Sequence, residues 1–348
     1  MFRYVIQVAT PYSTGTGIYL PQYDLIVTNE HVVRDTASVV VGAPGMEEQL
    51  VRVVYLDAHY DLAFLHLERA HRPDPLPLGG AVTLGDPVTA IGLHFGGDLQ
   101  SETGTVTDTD HNRNGIRYLL HDARGEFTYG GGPLMDAGGR LVGVNMMDLP
   151  ELPPRTLCLP VTTLEEILDA FRAGGGVPAA RCFDCRTITF EAGHRLQDRC
   201  PNCGAGLTLP SLVHDPQPTG VNATIEQIIT AGGHDPRLAR RGPNLWNIRR
   251  GSATIQLAYH EDSGLVTGDA YLCKVPTDAG PELFAYLLRE NARLRQLTFS
   301  TYGRDIILSL LIYDRYLSVD TALPRFERLF EQADAYDNVL VEEFGAGW

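Results

Sequence analysis

Four cysteines constrain this chain more tightly than any other feature. They stand as C-F-D-C at Cys182 and Cys185 and as C-P-N-C-G at Cys200 and Cys203. Two close pairs separated by a short loop bring four thiolates within reach of one tetrahedral ion, and structural zinc suits that donor set. A stretch of about 30 residues cannot build its own apolar core, so metal binding supplies much of its folding energy. Gly204 suits the tight turn after the second pair. The stretch between the pairs, RTITFEAGHRLQDR, is expected to form a hairpin, with His194 a bystander. With all four positions taken by sulfur, such an ion has no open site for catalysis. A redox dithiol and an iron–sulfur cluster are the alternatives. The two remaining cysteines, Cys158 and Cys273, lie in apolar segments and read as buried, inert thiols.

On either side of the cysteines the pattern differs. Before them, LIVTNEHVV, SVVVGAP, VRVVYLD, LAFLHL, PVTAIGL, TGTVTD, IRYLLHD and RLVGVNMM are short β-like runs broken by Gly, Pro and Asp, as in an all-β barrel or sandwich. TTLEEILDAFRAGGG then reads as an amphipathic helix stopped by glycines. After the cysteines, LPSLVHDPQPTG reads as a linker. From Asn222 onward helices and strands alternate in the order helix, strands, helix, strands, helix. Leu283, Tyr286, Leu287, Leu294, Leu329 and Phe330 read as core, and Asn291 as a residue that caps or bridges backbone groups.

The net charge of −15 opposes a broad nucleic-acid or anionic-membrane surface. Arg240–Arg241 and Arg249–Arg250 are local basic candidates, expected to be solvated surface residues. No apolar run reaches the roughly 18–20 residues that span a bilayer. The start, MFRYVIQVAT, lacks the basic, apolar and small-residue regions of a signal peptide and reads as a first strand, which places the protein in the cytoplasm.

Four segments, taken in order, resemble the HtrA/DegP branch of the trypsin-like serine proteases. They are GTGIYLPQYDLIVTNEHVV, HYDLAFLHL, HDARGEFTYGGGPLMDAGGRLVGVN and TLCLPVTTLEEIL. The resemblance implies a double-barrel domain over 1–173, with His31 as the triad histidine and Asp61 as the triad aspartate. It places Gly130 where the nucleophilic serine would stand. The oxyanion hole of that family uses backbone N–H groups of the serine and of a glycine two residues earlier, and that glycine's place holds Thr128. A β-branched residue resists backbone angles that glycine accepts, and Tyr129 replaces a small polar residue. A triad without its hydroxyl keeps only weak residual catalysis. The expected protein is a pseudoprotease whose groove holds a peptide or protein partner. A hydrolase with a non-standard nucleophile is one alternative, and a zinc-ribbon regulator associated with nucleic acid is another.

Residues 181–209 are expected to form a zinc ribbon. Residues 222–348 resemble the α+β fold of type III secretion chaperones, including YbjN-type proteins, with the best match from LLRENARLRQ to FERLFEQADAY. That resemblance implies homodimerisation and binding of an extended partner segment.

Overall fold

In a computed structural model the chain divides into two compact units, Met1–Pro216 and Gln217–Trp348. The structure describes residues 2–67, 73–93, 99–123, 130–149, 155–192, 198–250 and 253–347.

The first unit opens with β1 (Val5–Ala9), β2 (Thr14–Leu20), β3 (Leu25–Thr28), the short α1 (Glu30–Val33), β4 (Ser38–Ala43), β5 (Met46–Asp57) and β6 (Leu62–His66). Pairing runs β5-β4-β1-β2-β3-β6, and β6 returns to β5, so six strands close into a barrel. A second closed barrel is built from β7 (Pro87–Leu93), β8 (Leu99–Arg113), β9 (Ile116–His121), β10 (Pro133–Asp136), β11 (Leu141–Leu149) and β12 (Arg155–Pro160). Two six-stranded barrels in tandem fit the expected trypsin-like double barrel. Closure removes the open edges that short antiparallel strands would otherwise present. Helix α2 (Val161–Arg172) follows, and its Val161, Leu164, Ile167, Leu168 and Phe171 form one buried stripe. Phe171 packs against Tyr55 and Phe64, with ring centroids 5.3 and 5.5 Å away.

The cysteine region does not stand apart from these barrels. Strand β13 (Ala179–Arg181) adds in parallel to β5, with Ala179 opposite Tyr55 and Arg181 opposite Asp57. Strand β14 (Ile188–Phe190) pairs antiparallel with β13. The hairpin expected between the two cysteine pairs is therefore formed across the first pair, with Cys182 and Cys185 in its turn. His194 falls outside the described residues. Beyond the second pair, the Asp215 carboxylate accepts the backbone N–H groups of Ala37 and Ser38, both at 2.9 Å, and fastens the linker to β4.

The second unit carries α3 (Gly220–Ala231), α4 (Pro236–Ala239), β15 (Arg240–Gly242), β16 (Leu245–Arg250), β17 (Ala253–His260), β18 (Leu265–Lys274), α5 (Pro281–Arg293), β19 (Leu297–Tyr302), β20 (Asp305–Tyr313) and α6 (Val319–Phe344). Its six strands form one antiparallel sheet in the order β15-β16-β17-β18-β20-β19. Helix α6 crosses one face at Gly268, where an added Cβ would stand 2.6 Å from Phe326. Asn291 bridges backbone as expected: it accepts the Phe299 N–H at 2.6 Å and donates to the Phe299 carbonyl at 3.1 Å. Arg240 and Arg241 depart from expectation, being buried rather than solvated. Arg240 pairs with Glu226 and lies over the Trp246 ring, and Arg241 donates to the carbonyls of Leu238 and Arg240. Burial brings the Arg240 guanidinium down to about 10.

Candidate functional site

His31 and Asp61 come together from different turns of the first barrel. His31 sits in α1, just after β3, and Asp61 ends the turn between β5 and β6. The His31 Nδ1 lies 2.8 Å from one Asp61 carboxylate oxygen and 3.0 Å from the other. The backbone N–H of His31 donates to the same carboxylate at 3.0 Å. Asp61 holds a left-handed backbone (φ 51°), a conformation open to Asp more than to most residues. Its carbonyl accepts the Glu30 N–H and the Asn29 side chain. The hydrogen bond from His31 to Asp61 raises the pKa of His31 against a smaller opposing effect of burial. The side chains of the pair are 45% and 36% exposed. Water therefore competes with each member for the other.

Gly130, where the resemblance would put a nucleophile, has a carbonyl that accepts the Thr16 N–H at 3.2 Å, which ties it to the first barrel. A Cβ at this position would meet Asn29 Oδ1 at 3.1 Å and the Met146 carbonyl at 3.3 Å. Both approaches are tighter than ordinary van der Waals contact. Asn29 is fully buried, and its Oδ1 has no hydrogen-bond partner among the described residues. The space beside Gly130 thus faces an acceptor. The next residue, Gly131, has φ 81°, and a Cβ there would run into the Thr16 carbonyl. Thr128 and Tyr129 lie outside the described residues.

The four cysteines also converge. Cys182, Cys185, Cys200 and Cys203 hold their sulfurs within 4.8 Å of one another, with Cys182–Cys203 at 3.6 Å and Cys185–Cys200 at 3.5 Å. No pair is bonded. The two turns are built alike. Arg186 N donates to the Cys182 carbonyl and Gly204 N to the Cys200 carbonyl, both at 2.9 Å. Arg186 and Gly204 both adopt left-handed angles, φ 63° and 77°. Hydrogen bonds from Thr187 and Asn202 bring the Cys185 thiol down to about 5. Cys203 is pushed up to about 12: the Ala205 N–H favours its thiolate, and the neighbouring sulfurs and burial override it. Four crowded sulfurs cannot all carry negative charge alone, and a dication would remove that conflict. These residues could hold one metal ion.

The cysteine turn is fastened to the turn that carries Asp61. The Asp57 carboxylate accepts Arg181 Nε and the Tyr55 hydroxyl, each at 2.7 Å, and the Tyr60 N–H at 3.1 Å. The sequence carries no sign that Asp57 and Arg181 meet, because an ion pair between residues this far apart leaves no local pattern.

Two closed barrels meeting beside a His–Asp pair define the trypsin-like peptidase architecture. In keeping with it, residues 15–144 match the family described as Trypsin-like peptidase domain. The chain is 32% identical over 146 residues to the mitochondrial serine protease HTRA2 of Bos taurus, a match covering 39% of this chain and 32% of that protein. It is 27% identical over 173 residues to the "Probable periplasmic serine endoprotease DegP-like" of Pseudomonas fulva, covering 47% of this chain and 36% of that one. The chain thus spans about a third of the length of these relatives. Among solved structures, the serine endoprotease from Yersinia pestis aligns with a TM-score of 0.45 and 23% identity, over 50% of this chain and 64% of that one.

Proposed function

We propose that this protein is a non-catalytic member of the trypsin-like group and serves as a protein-binding scaffold. The observation that carries this reading is Gly130. The nucleophile's position has no side chain, and its surroundings leave little room for one. His31 and Asp61 can still hold and orient a proton, but a proton acceptor without a hydroxyl to activate forms no acyl-enzyme. An edge-on peptide needs only backbone groups, so a groove can outlive the chemistry.

The ion held by the cysteines is, in this reading, zinc. Zn–S bonds of about 2.3 Å place tetrahedral sulfurs roughly 3.8 Å apart, close to the separations found here. In this reading the protein works in a reducing compartment such as the cytoplasm. The C-terminal unit is the second partner-binding element, a chaperone-like domain that pairs into a homodimer. Its support is the sheet face turned away from α6, where Tyr271, Leu311 and Tyr313 are exposed. Light scattering on the intact chain checks this: a strict monomer at high concentration leaves partner binding without self-association.

The test of the main reading is incubation with a denatured protein substrate and with a serine-directed phosphonate. Neither turnover nor labelling is expected. A second reading, a hydrolase with a nucleophile supplied from elsewhere, draws on the retained His31–Asp61 contact and on the relatives' names. Turnover abolished by His31→Ala would favour it.

A further inference from the structure

A cleft of about 400 Å³ opens beside Asp61. One wall is the tip of the β8–β9 hairpin, with Arg113 and Asn114. The other is the first cysteine turn, with Phe183 and Arg186. Ile116, Met146 and Leu157 are buried beneath. Both walls are preformed. Asn112 Oδ1 accepts the Gly115 N–H at 3.1 Å, and Asn114 and Gly115 both take the positive φ of a tight hairpin turn. The facing wall is held by the Arg186–Cys182 backbone bond described above. The walls draw close at one point: an added Cβ on Gly115 would lie 3.8 Å from Arg186 Nη2.

The lining combines two kinds of surface. Phe183 is 62% exposed and meets the His59 ring edge-on, with centroids 6.2 Å apart. Together with the buried floor it offers a seat for an apolar or aromatic group. Arg113 and Arg186 bring two guanidiniums to the lining, beside two carboxylates, Asp184 and the Asp61 that His31 engages. Among the described residues Arg186 makes no ion pair. The planar fork of arginine matches a carboxylate with two parallel hydrogen bonds. The volume stands at the lower end of the ~300–1,000 Å³ typical of ligand sites, room for about two residues.

We propose that this cleft binds a peptide segment in which an aromatic residue stands beside an acidic one, the ring seated on Phe183 and the floor and the carboxylate held between Arg113 and Arg186. The proposal rests on the scaffold reading and names a peptide the protein takes, in a cleft that borders Asp61. It also gives the cysteine turn a role in recognition, since one wall exists only if that turn is folded.

The experiment is fluorescence anisotropy with a fluorescein-labelled hexapeptide, Gly-Ser-Phe-Asp-Gly-Ser, and the full-length chain purified with its native metal content. Two control peptides carry Ser for Phe or Lys for Asp. The parent peptide is expected to bind, and each control to bind about tenfold more weakly, as the loss of one charge-assisted contact or one buried ring implies. Arg186→Glu should weaken the parent about tenfold and favour the Lys peptide. Arg113→Glu, remote from the cysteines, provides the same reversal should Arg186→Glu fail to fold. Equal binding of all three peptides, or affinities indifferent to both charge reversals, overturns the proposal. Mass spectrometry of the peptide separates the two readings. A bound and intact peptide supports both. A cut peptide sinks the non-catalytic reading alone. An unbound, intact peptide sinks the cleft alone.

Discussion

Arg181 Nε reaches the fully buried Asp57 carboxylate at 2.7 Å, one residue before Cys182 and four before Asp61. This single ion pair joins the strand that delivers the first cysteine to the turn that delivers the candidate triad aspartate. Removing one partner of a buried pair leaves a charge without compensation, at a cost of roughly 3–5 kcal/mol. Arg181→Met is therefore expected to lower the stability of the N-terminal unit by about that amount in urea unfolding. A loss under about 1 kcal/mol would show that water reaches Asp57 and that the tie is weak.

His31 offers a direct reading of the same turn. Its hydrogen bond to Asp61 holds its pKa above the usual 6.5. The contact stabilises the fold fully below the ordinary histidine value and loses that contribution as pH rises through the elevated one. Because both side chains are half-exposed, the effect on stability is at most about 1 kcal/mol. An NMR titration should show His31 elevated in the wild type and lowered in Asp61→Asn. An unchanged value in that variant would mean that some other group sets it.

Elemental analysis of protein purified without added metal should find about one zinc per chain. Cys203→Ser and treatment with a strong chelator should each lower the melting temperature of the N-terminal unit, because β13 and β14 lose the turn that joins them. Iron in place of zinc, or a Cys182–Cys185 disulfide, would refute the assignment.

Gly130→Ser alone should restore little peptidase activity. The new Cβ requires Asn29 and the Met146 carbonyl to give slightly, although its hydroxyl would gain Asn29 Oδ1, without a partner among the described residues, as an acceptor. The oxyanion would still need two N–H donors, and losing one costs about 10²–10³ in rate. Thr128→Gly together with Gly130→Ser should exceed the single variant by about that factor on a denatured protein substrate. Equal turnover by single and double variants would show that Thr128 does not impair the hole.

In the C-terminal unit, Asp337 lies buried in α6 with one carboxylate oxygen unpartnered among the described residues. Burial, and then the charge of Asp334, raise it to about 6 from an ordinary 3.8. Between those values the folded state holds more protons than the unfolded one, so stability falls as pH rises from about 4 to about 6 and then levels. Asp337→Asn should remove that slope and raise stability at pH 7.5 by roughly 1–3 kcal/mol, with little effect at pH 4. Parallel pH profiles for the variant and the wild type would place the charge in water.

The sequence shows the strands of the first unit because each rests on a short run whose alternation and turn residues are local, whereas the double barrel and the His31–Asp61 pair follow only from the resemblance of four segments to trypsin-like proteases. The cysteine spacing is legible because it too is local. Gly204 betrays a left-handed turn, while Arg186 occupies the equivalent place in the first pair without any sign of it. Helix α6 begins at Val319. Ser318 and Thr321 close a reciprocal cap around β-branched residues that propensity alone disfavours. The half-exposure of Asp61 depends on how two barrels and a hairpin surround it, and no spacing of residues encodes that. The parallel pairing of β13 with β5 joins segments 124 residues apart, where no periodicity reaches.

That pairing bears on heredity as well as on structure. Domains strung like beads can be shuffled by recombination in a single event. Here the backbone of Tyr55–Asp57 finds its lateral neighbour in Ala179–Arg181, so a cut between α2 and the first cysteine would bare a raw strand edge, the usual seed of aggregation. The barrels and the cysteine turns should accordingly travel through evolution as one piece, gained together and lost together.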